Sequence, residues 1–331
     1  MQLIRGLHNL KTHTQQSMVT IGNFDGIHLG HQHIIQEMLK QSATQNLQVV
    51  IILFEPQPKE YFMRDNAPVR LMPLREKLRV MKQMGVDKVL CLYFNSFLAK
   101  LSPEDFINQI LVQKLKVHTV GVGEDFRWGY RQQGDMNLLK QLAEHYGFQV
   151  APVFLLKNAN QKISSTLIRE LLAQGQIEDA AALLGRPFCL TGRVMRGDSR
   201  GRSLGFPTAN VHLPVNYKGP FSGVYVVKVG FDPHPPFGHP LPQAGEGNLL
   251  GLILGVANMG VRPTFNGVNT VLEVHLLDFS SDIYGRHLIV EFIHKLRDEQ
   301  RFDGIDALKQ QIALDIEQAK GYFAIKADTF Y

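Results

Sequence analysis

Gly22-Asn23-Phe24-Asp25-Gly26-Ile27-His28-Leu29-Gly30-His31 follows directly on the apolar run Met18-Val19-Thr20-Ile21 and leads into a helical pattern. An apolar run, a glycine-rich turn and then a helix is the layout of a backbone anion site. Gly22, Gly26 and Gly30 let the chain turn tightly and approach a ligand closely. The helix that follows offers unpaired N–H groups and the positive end of its dipole. His28 and His31 add side-chain donors where a polyphosphate would lie, with Asn23, Phe24 and Asp25 lining the turn.

Working outward, 331 residues are long for one core, so two domains are expected. With 44% hydrophobic and 20% charged residues the chain has the balance of a soluble globular protein. Its net charge of +5 is not gathered into a Lys/Arg run, which suits anionic small molecules at least as well as nucleic acid. The two cysteines, Cys91 and Cys189, both sit in apolar stretches, against a disulfide framework or thiolate metal site and in keeping with a reducing compartment. The start, MQLIRGLHNLKTH, lacks a signal-peptide core, and no apolar run of about 18 residues occurs. A cytoplasmic location is expected.

The first half alternates strand-like and helix-like segments. Strands are predicted at 18–21, 47–54, 86–93, 117–122 and 148–154, and helices at 31–43, 74–84, 103–114 and 135–146. Runs such as VVIILF suit strands buried on both faces, the mark of a doubly wound parallel α/β sheet. Short helices at 165–173 and 178–184 follow. After Arg186-Pro187 short β-rich runs dominate, at 188–195, 223–229, 250–257, 270–276 and 287–292, which predicts a small antiparallel barrel or sandwich. The chain closes on an amphipathic helix whose face carries Ile305, Leu308, Ile312, Ile316, Ala319 and Phe323, with Asp303 as its expected N-cap. The domain boundary is expected near 185, giving domains 1–184 and 185–331. The Pro- and Gly-rich stretch 231–248 reads as an exposed loop.

Several segments carry chemistry. His28 and His31 could pair on a metal, but no cysteine or third clustered histidine accompanies them. Lys162-Ile163-Ser164-Ser165-Thr166-Leu167-Ile168-Arg169 puts three hydroxyls and an Arg at a helix start, more than one cap needs. Phe54-Glu55-Pro56-Gln57-Pro58, with Tyr61 and Phe62 behind it, ends the second strand of the sheet. Gly123-Glu124-Asp125-Phe126-Arg127-Trp128-Gly129 ends the fourth. Both lie at the carboxyl ends of parallel strands, where open α/β sheets bind ligands. Their aromatics suit a flat heteroaromatic ring, or else close off a core.

In the second half, residues 192–210 form a Gly/Arg-rich loop that is either a flexible turn or an anion site. It is not a Walker A motif, because Gly-Lys occurs nowhere in the chain. Thr208 and Asn210 offer neutral oxygens that, with phosphates and waters, would suit Mg²⁺. In Val271-Leu272-Glu273-Val274-His275 the alternation puts Glu273 opposite the apolar face. It is either an edge-exposed carboxylate or a general base for phosphoryl transfer.

The paired HLGH and ISSTLIR segments resemble the signatures of the nucleotidylyltransferase superfamily. GRGRSLGFPTAN, GVYVV, GVANMGVRPTF, LEVHLLDF, DIYG and LRDEQRFDGIDALKQQIALD resemble, in order, the signatures of the riboflavin kinase family. From about residue 17 to 320 the chain thus resembles the prokaryotic bifunctional riboflavin kinase/FMN adenylyltransferases (FAD synthetases). The resemblance implies a Rossmann-like adenylyltransferase domain and a six-stranded kinase barrel with a C-terminal helix. It implies riboflavin, FMN and ATP as substrates and Mg²⁺ as cofactor. In the first domain, His28 and His31 would stabilise adenylyl transfer. Gly22, Asn23, Phe24, Asp25, Gly26, Gly30, Ser164, Ser165, Thr166 and Arg169 would hold ATP. Phe54, Pro56, Pro58, Phe62, Asp125, Phe126 and Trp128 would seat the flavin. In the second, Thr208 and Asn210 would hold Mg-ATP with Gly205 and Pro207 beside them. Glu273 would take the proton of the ribityl hydroxyl, and Arg297 would lie near the flavin. Trp128 stands where the family commonly has Phe, and the loop 231–248 is longer than such a barrel needs.

Two other functions fit parts of the sequence. One is a single adenylyltransferase whose barrel only senses flavin. The other is a nucleic-acid binder, since HLGH also resembles the HIGH element of tRNA synthetases; the dispersed charge and the lack of an aromatic basic stripe speak against it. Neither a nucleic-acid nor a membrane partner is expected, and nothing in the sequence specifies an oligomeric state.

Overall fold

The computed structural model describes residues 1–11, 15–123, 125–152, 157–158, 161–196, 205–214, 217–231, 252–264 and 267–327. The chain divides into two compact units, Met1–Pro68 with Met72–Ser165, and Val69–Leu71 with Thr166–Tyr331. Of the expected features, Glu124, the strand end 153–154, residues 197–204 of the Gly/Arg-rich loop and nearly all of the Pro-rich loop lie outside the described residues.

The first unit is built on a six-stranded parallel sheet in the order β1-β4-β3-β2-β5-β6. Its strands are β1 (Gln2–Arg5), β2 (Ser17–Ile21), β3 (Gln48–Glu55), β4 (Lys88–Tyr93), β5 (Val117–Val122) and β6 (Gln149–Pro152). From β2 the chain steps one way to β3 and β4, then crosses back to lay β5 on the other side. The strand order therefore reverses between β2 and β5, which is where such sheets bind ligands. The turn 22–28 leaves β2 at this point.

Successive residues of β3 point to opposite layers. Val50 and Ile52 join one apolar cluster with Ile107, Ile110, Leu139 and Leu142. Ile51 and Leu53 join another with Ile27, Ile35, Val80 and Met81. The first cluster is supplied by α5 (Pro103–Phe106), its π-helical continuation Ile107–Val112, and α6 (Met136–Tyr146). The second is supplied by α1 (Leu29–Gln45) and α3 (Leu74–Gln83). Both faces are covered, as the unbroken apolar run of β3 requires. The helix ends are capped by side chains and glycine: Ser102 Oγ accepts the Asp105 N–H, Asp135 the Leu138 N–H, and Gly147 closes α6 in the left-handed region.

Among the elements of this unit absent from the sequence expectation are β1 and α2. β1 is a four-residue edge strand paired only with β4, too short to show a period. α2 (Pro58–Met63) is a six-residue helix opened by a capping box between Gln57 and Glu60.

In the second unit, α7 (Ser165–Ala173) and α8 (Ile177–Leu184) precede a closed antiparallel barrel. α8 packs against β9 and β14, so by packing it belongs with the barrel. The strand order is β10-β13-β12-β11-β14-β9, with β9 closing on β10. These are β9 (Phe188–Met195), β10 (Ala209–His212), β11 (Gly223–Phe231), β12 (Ile253–Thr264), β13 (Gly267–Leu276) and β14 (His287–Arg297). β10 overlaps the stretch 192–210 that the sequence predicts as loop; its four residues become a strand through pairing with β9 and β13. Inward positions such as Tyr225, Val227, Leu272, Val274, Val290 and Phe292 are fully buried and fill the barrel.

With the interior filled, anything that binds must use the outer face or the rim. α9 (Ile305–Ala327) covers part of that face. Its Ile316, Ala319, Tyr322 and Phe323 pack on Val224, Val226 and Val256. Two expectations for this helix are corrected. Ile305 is 63% exposed and lies off the buried stripe. The first turn closes by a Leu308 N–H bond to the Gly304 carbonyl, one residue beyond Asp303.

Gly134 is bridged to Trp128, and a Cβ built on it would meet the indole at 2.4 Å. Gly134→Ala should therefore destabilise the first unit by about 1–3 kcal/mol through overpacking. A lowered urea midpoint at unchanged slope would show it.

Candidate active sites

In the first unit the site grows from the turn between β2 and α1. Gly22 N–H bonds to the Ile52 carbonyl and extends β2 pairing into the turn. The backbone then passes through positive φ at Phe24 (45°), Gly26 (81°) and Ile27 (40°). Gly26 takes that conformation freely, whereas a β-branched residue such as Ile27 is strained there. Full burial of Ile27 among Ile35, Leu53 and Met81 holds it in place. At Gly30 a Cβ would stand 3.2 Å from the His28 ring, so glycine lets that ring lie against the helix.

The helix starts two residues earlier than predicted, with His28 as its N-cap. His28 Nδ1 accepts the His31 N–H at 3.3 Å. A ring nitrogen that accepts carries no proton, so the His28 proton sits on Nε2 and that edge donates. The two imidazoles stack with centroids 3.7 Å apart and planes at 17°, and Phe24 lies 5.0 Å from the His31 ring. His31 Nδ1 is buried and has no hydrogen-bond partner among the described residues. Burial, then His28, then Lys77 hold His31 well below the ordinary histidine range, so it is neutral at pH 7. The arrangement presents neutral imidazoles at a helix N-terminus, one with an unmatched buried nitrogen.

The remaining turn residues act mainly through the backbone. The Asp25 carboxylate is buried rather than open to a ligand. Its Oδ1 accepts the Met72 N–H at 3.1 Å and lies 3.9 Å from Lys77 Nζ. Ser165 Oγ donates to the Asp25 carbonyl at 2.8 Å, which ties the hydroxyl cluster to the turn. Ser164 is half-buried and Thr166 exposed at the start of α7. Arg169 Nε donates to the Val69 carbonyl within the second unit.

Next to β2, the end of β3 carries a shelf of aromatics. Phe54 meets Phe94 edge-on at 5.7 Å, and Tyr61 and Phe62 both pack on the same Phe94 ring. Phe62 is 65% exposed. Pro56, after a cis peptide, and Pro58, the first residue of α2, set the course of the chain beneath it. Gln57, between them, is buried, and its Nε2 has no partner among the described residues. On the other side of β2, at the end of β5, Asp125 is exposed and Phe126 is half-buried. Phe126 stacks on Trp128 at 5.3 Å. Trp128 itself is core. It is 6% exposed and its Nε1–H is taken by the Pro103 carbonyl at 3.0 Å, so it backs Phe126 instead of facing a ligand.

In the second unit the register decides the site. Glu273 on β13 is paired with Asn210 of β10 on one side and Asn258 of β12 on the other. Directly paired residues share a face, so the three side chains form one row on the outer surface, with Cβ atoms about 5 Å apart. Glu273 is half-buried there, while Leu272, Val274 and Leu276 point inward, as the alternation predicts. His275 lies on the same outer face, and its Nδ1–H donates to the Pro207 carbonyl at 2.8 Å. Phe206 meets its ring edge-on. This contact fixes the segment that presents Thr208, and Gly205 at its start takes φ 89°.

Arg297 ends the same row through Asn258, Val224 and Arg297. Its guanidinium forms a two-pronged pair with Asp315 of α9, at 2.9 and 2.8 Å, and lies over the Phe302 ring. Its firm contact is thus with α9. The sequence reasoning missed Lys77, Gln57, Asn258, His275 and Asp315. Lys77 had a signal, a charge on the apolar face of α3 between Leu74 and Met81; Asn258 became visible only through register.

Among the described residues no cluster of three or more His, Cys, Asp or Glu side chains could hold a metal, and no helix is long and apolar enough to cross a membrane. Thr208 and Asn210 are neutral oxygen donors, a set that fits Mg²⁺ carried on ATP phosphates and would not retain the ion unaided.

Residues 10–167 match the FAD synthetase family model and residues 184–323 the riboflavin kinase model. The chain is 45% identical over 327 residues to the bifunctional riboflavin kinase/FMN adenylyltransferase of Escherichia coli (strain K12), covering 98% of this chain and 99% of that protein. Identity to the protein of the same description from Haemophilus influenzae is 44%, with the same coverage. A crystal structure described as a macrolide-efflux protein from Streptococcus pneumoniae superposes with a TM-score of 0.80 at 28% identity, covering 97% of this chain and 99% of that one. Matched end to end by curated relatives and by both family models in order, the chain belongs to the bifunctional riboflavin kinase/FMN adenylyltransferase family.

Proposed function

We propose that the chain converts riboflavin to FMN and FMN to FAD, each with ATP, at two separate sites. Residues 185–331 carry the kinase step and residues 1–184 the adenylyl transfer. The observation that carries this is the contrast between the sites: neutral histidines at a helix N-terminus in one, a carboxylate between two amide side chains in the other.

In adenylyl transfer an FMN phosphate oxygen attacks the α-phosphorus of ATP, and the bond to the β-phosphate oxygen breaks to release pyrophosphate. The nucleophile is already an anion, so no base is needed. The requirement is in-line placement and donors aimed at charge that develops on the phosphoryl oxygens. The His28 Nε2 edge, the His31 ring and the first N–H groups of α1 supply them, with Ser164 and Ser165 as further phosphate ligands. The Phe54–Phe62 shelf and Phe126 would hold the isoalloxazine ring, with Asp125 at its polar edge.

In the kinase step the ribityl hydroxyl of riboflavin attacks the γ-phosphorus of ATP, and ADP leaves. The hydroxyl proton has to go somewhere, and Glu273 is the acceptor. Asn210 and Thr208 would hold Mg²⁺ with the ATP phosphates, and the ion would neutralise phosphate charge. The same reading puts the enzyme in the cytoplasm, in keeping with a chain that has only two cysteines, both buried.

Glu273→Gln keeps the shape and removes the proton acceptor. FMN formation from riboflavin should fall about 10²–10⁴-fold while FAD formation from supplied FMN stays unchanged. Chromatography that resolves riboflavin, FMN and FAD reads both; equal loss of both steps would contradict the assignment.

His28→Asn retains an N-cap acceptor and removes the Nε2 donor. FAD formation should drop roughly 10²–10³-fold, so that riboflavin and ATP accumulate FMN. Unchanged FAD output would place adenylyl transfer elsewhere.

A further inference from the structure

Lys77 is buried on α3 with 2% exposure, beneath the turn that carries the histidines. Its Nζ donates to the Asn23 carbonyl at 2.8 Å and lies 3.9 Å from Asp25 Oδ1. Glu76, the neighbouring buried charge of α3, pairs with Arg79 at 3.2 Å. An ammonium is costly to bury and is retained where it has partners or a task. Here it grips the turn at two consecutive points, a backbone carbonyl at residue 23 and a carboxylate at residue 25. Ser165 holds the Asp25 carbonyl at the same time. Phe24, at positive φ between the two grips, packs on His31.

We propose that Lys77 is a positioning residue for adenylyl transfer, a buried cation that fixes the strained turn and through it the stacked His28–His31 pair. This rests on the histidine pair being the donor set of that step. The charges that face His31 are His28 from the cap of α1, Lys77 from α3, and Asp25 behind Lys77. Burial lowers His31 most, the His28 charge next and the Lys77 charge after it, all in the same direction. Burial and the two neighbouring charges together make protonation of His31 unfavourable, so that ring meets phosphate in its neutral form across the range in which free histidine would charge. The direction matters. A phosphate ligand would otherwise pull the pair toward imidazolium, and the geometry seen here, with Nδ1 of His28 accepting a backbone N–H, requires the neutral ring.

The test uses the full chain and three variants: Lys77→Arg, Lys77→Met, and Lys77→Met combined with Asp25→Asn, which leaves no unpaired carboxylate should the single change fail to fold. FAD formation from FMN and ATP is measured against pH, and His31 is titrated by NMR of histidine-labelled protein. In the parent chain the acid limb should lie well below 6.5. With Lys77→Met, or the double variant, His31 should titrate at higher pH and the acid limb should follow it. The rate relative to the parent should then be about tenfold worse at pH 6 than at pH 8.5. Lys77→Arg should keep the limb in place. The kinase step, in the other unit, should show the parent pH profile throughout. Profiles that superimpose after scaling, or a His31 titration that does not move, would overturn the proposal and leave Lys77 a merely structural cation. Failure of the site reading itself would look different: His28→Asn and His31→Asn would leave FAD formation intact whatever Lys77 does.

Discussion

Burial of Ile27 under the β2–α1 turn is the constraint on which the first unit's chemistry depends. The turn crosses positive φ at two residues that have a Cβ, at a cost of about 1–3 kcal/mol each. Such a conformation persists only where the surroundings over-determine it. Here Ile27 is locked between α1, α3 and β3, Asp25 is tied to Met72 and Ser165, and Asn23 is tied to Lys77. The result is a helix N-terminus whose donors are aimed before any ligand arrives. Preorganised donors act without reorganisation at the moment of charge transfer, which is the main reason they accelerate it.

The barrel solves a different problem. Six strands close on a core of Tyr225, Phe292 and aliphatic side chains, which leaves no room inside for a substrate. Polar chemistry is confined to outward positions, and α9 occupies one part of that surface over β11, β12 and β14. The row Asn210–Glu273–Asn258 lies on the same face. The Arg297–Asp315 pair, with Gln311 also bonded to Asp315, fastens the end of β14 to α9. A two-pronged arginine–carboxylate contact fixes orientation as well as distance. It therefore sets how the helix lies beside the row.

Much of this was legible in the sequence because burial and period dominate. VVIILF could only be a strand covered on both sides, and the alternation around Glu273 gave its face correctly. The predicted starts of the helices at 103 and 135 fall within a residue of the observed ones, which Ser102 and Asp135 cap. What failed was short or long-range. β1 and β10 have four residues each, and pairing rather than propensity makes them strands. The start of α1 was missed because His28 caps it with a ring nitrogen, an uncommon cap. Trp128 lies in a strand-end aromatic segment that suits a ligand wall or a core closure equally, and what decides for the core is its N–H bond to Pro103, 25 residues away. Lys77 and Asn258 owe their importance to neighbours distant in sequence, which no local pattern encodes.

Two ATP sites on one chain follow from the chemistry. Adenylyl transfer breaks the bond beyond the α-phosphorus and phosphoryl transfer the bond before the γ-phosphorus, so one grip on the triphosphate could not present both in line. The nucleophiles differ as well. An FMN phosphate arrives as an anion, and an open carboxylate beside it would repel it. Asp25, the carboxylate of the first turn, is turned inward onto the Met72 N–H and Lys77, and the groups left facing the helix N-terminus are neutral imidazoles. A ribityl hydroxyl arrives neutral and gains nucleophilicity by losing its proton, which an imidazole such as His31, held well below the ordinary histidine range chiefly by burial, would accept poorly. Glu273, flanked by uncharged amides and half-open to solvent, can accept it. Under the proposed assignment each site withholds the group that the other one needs.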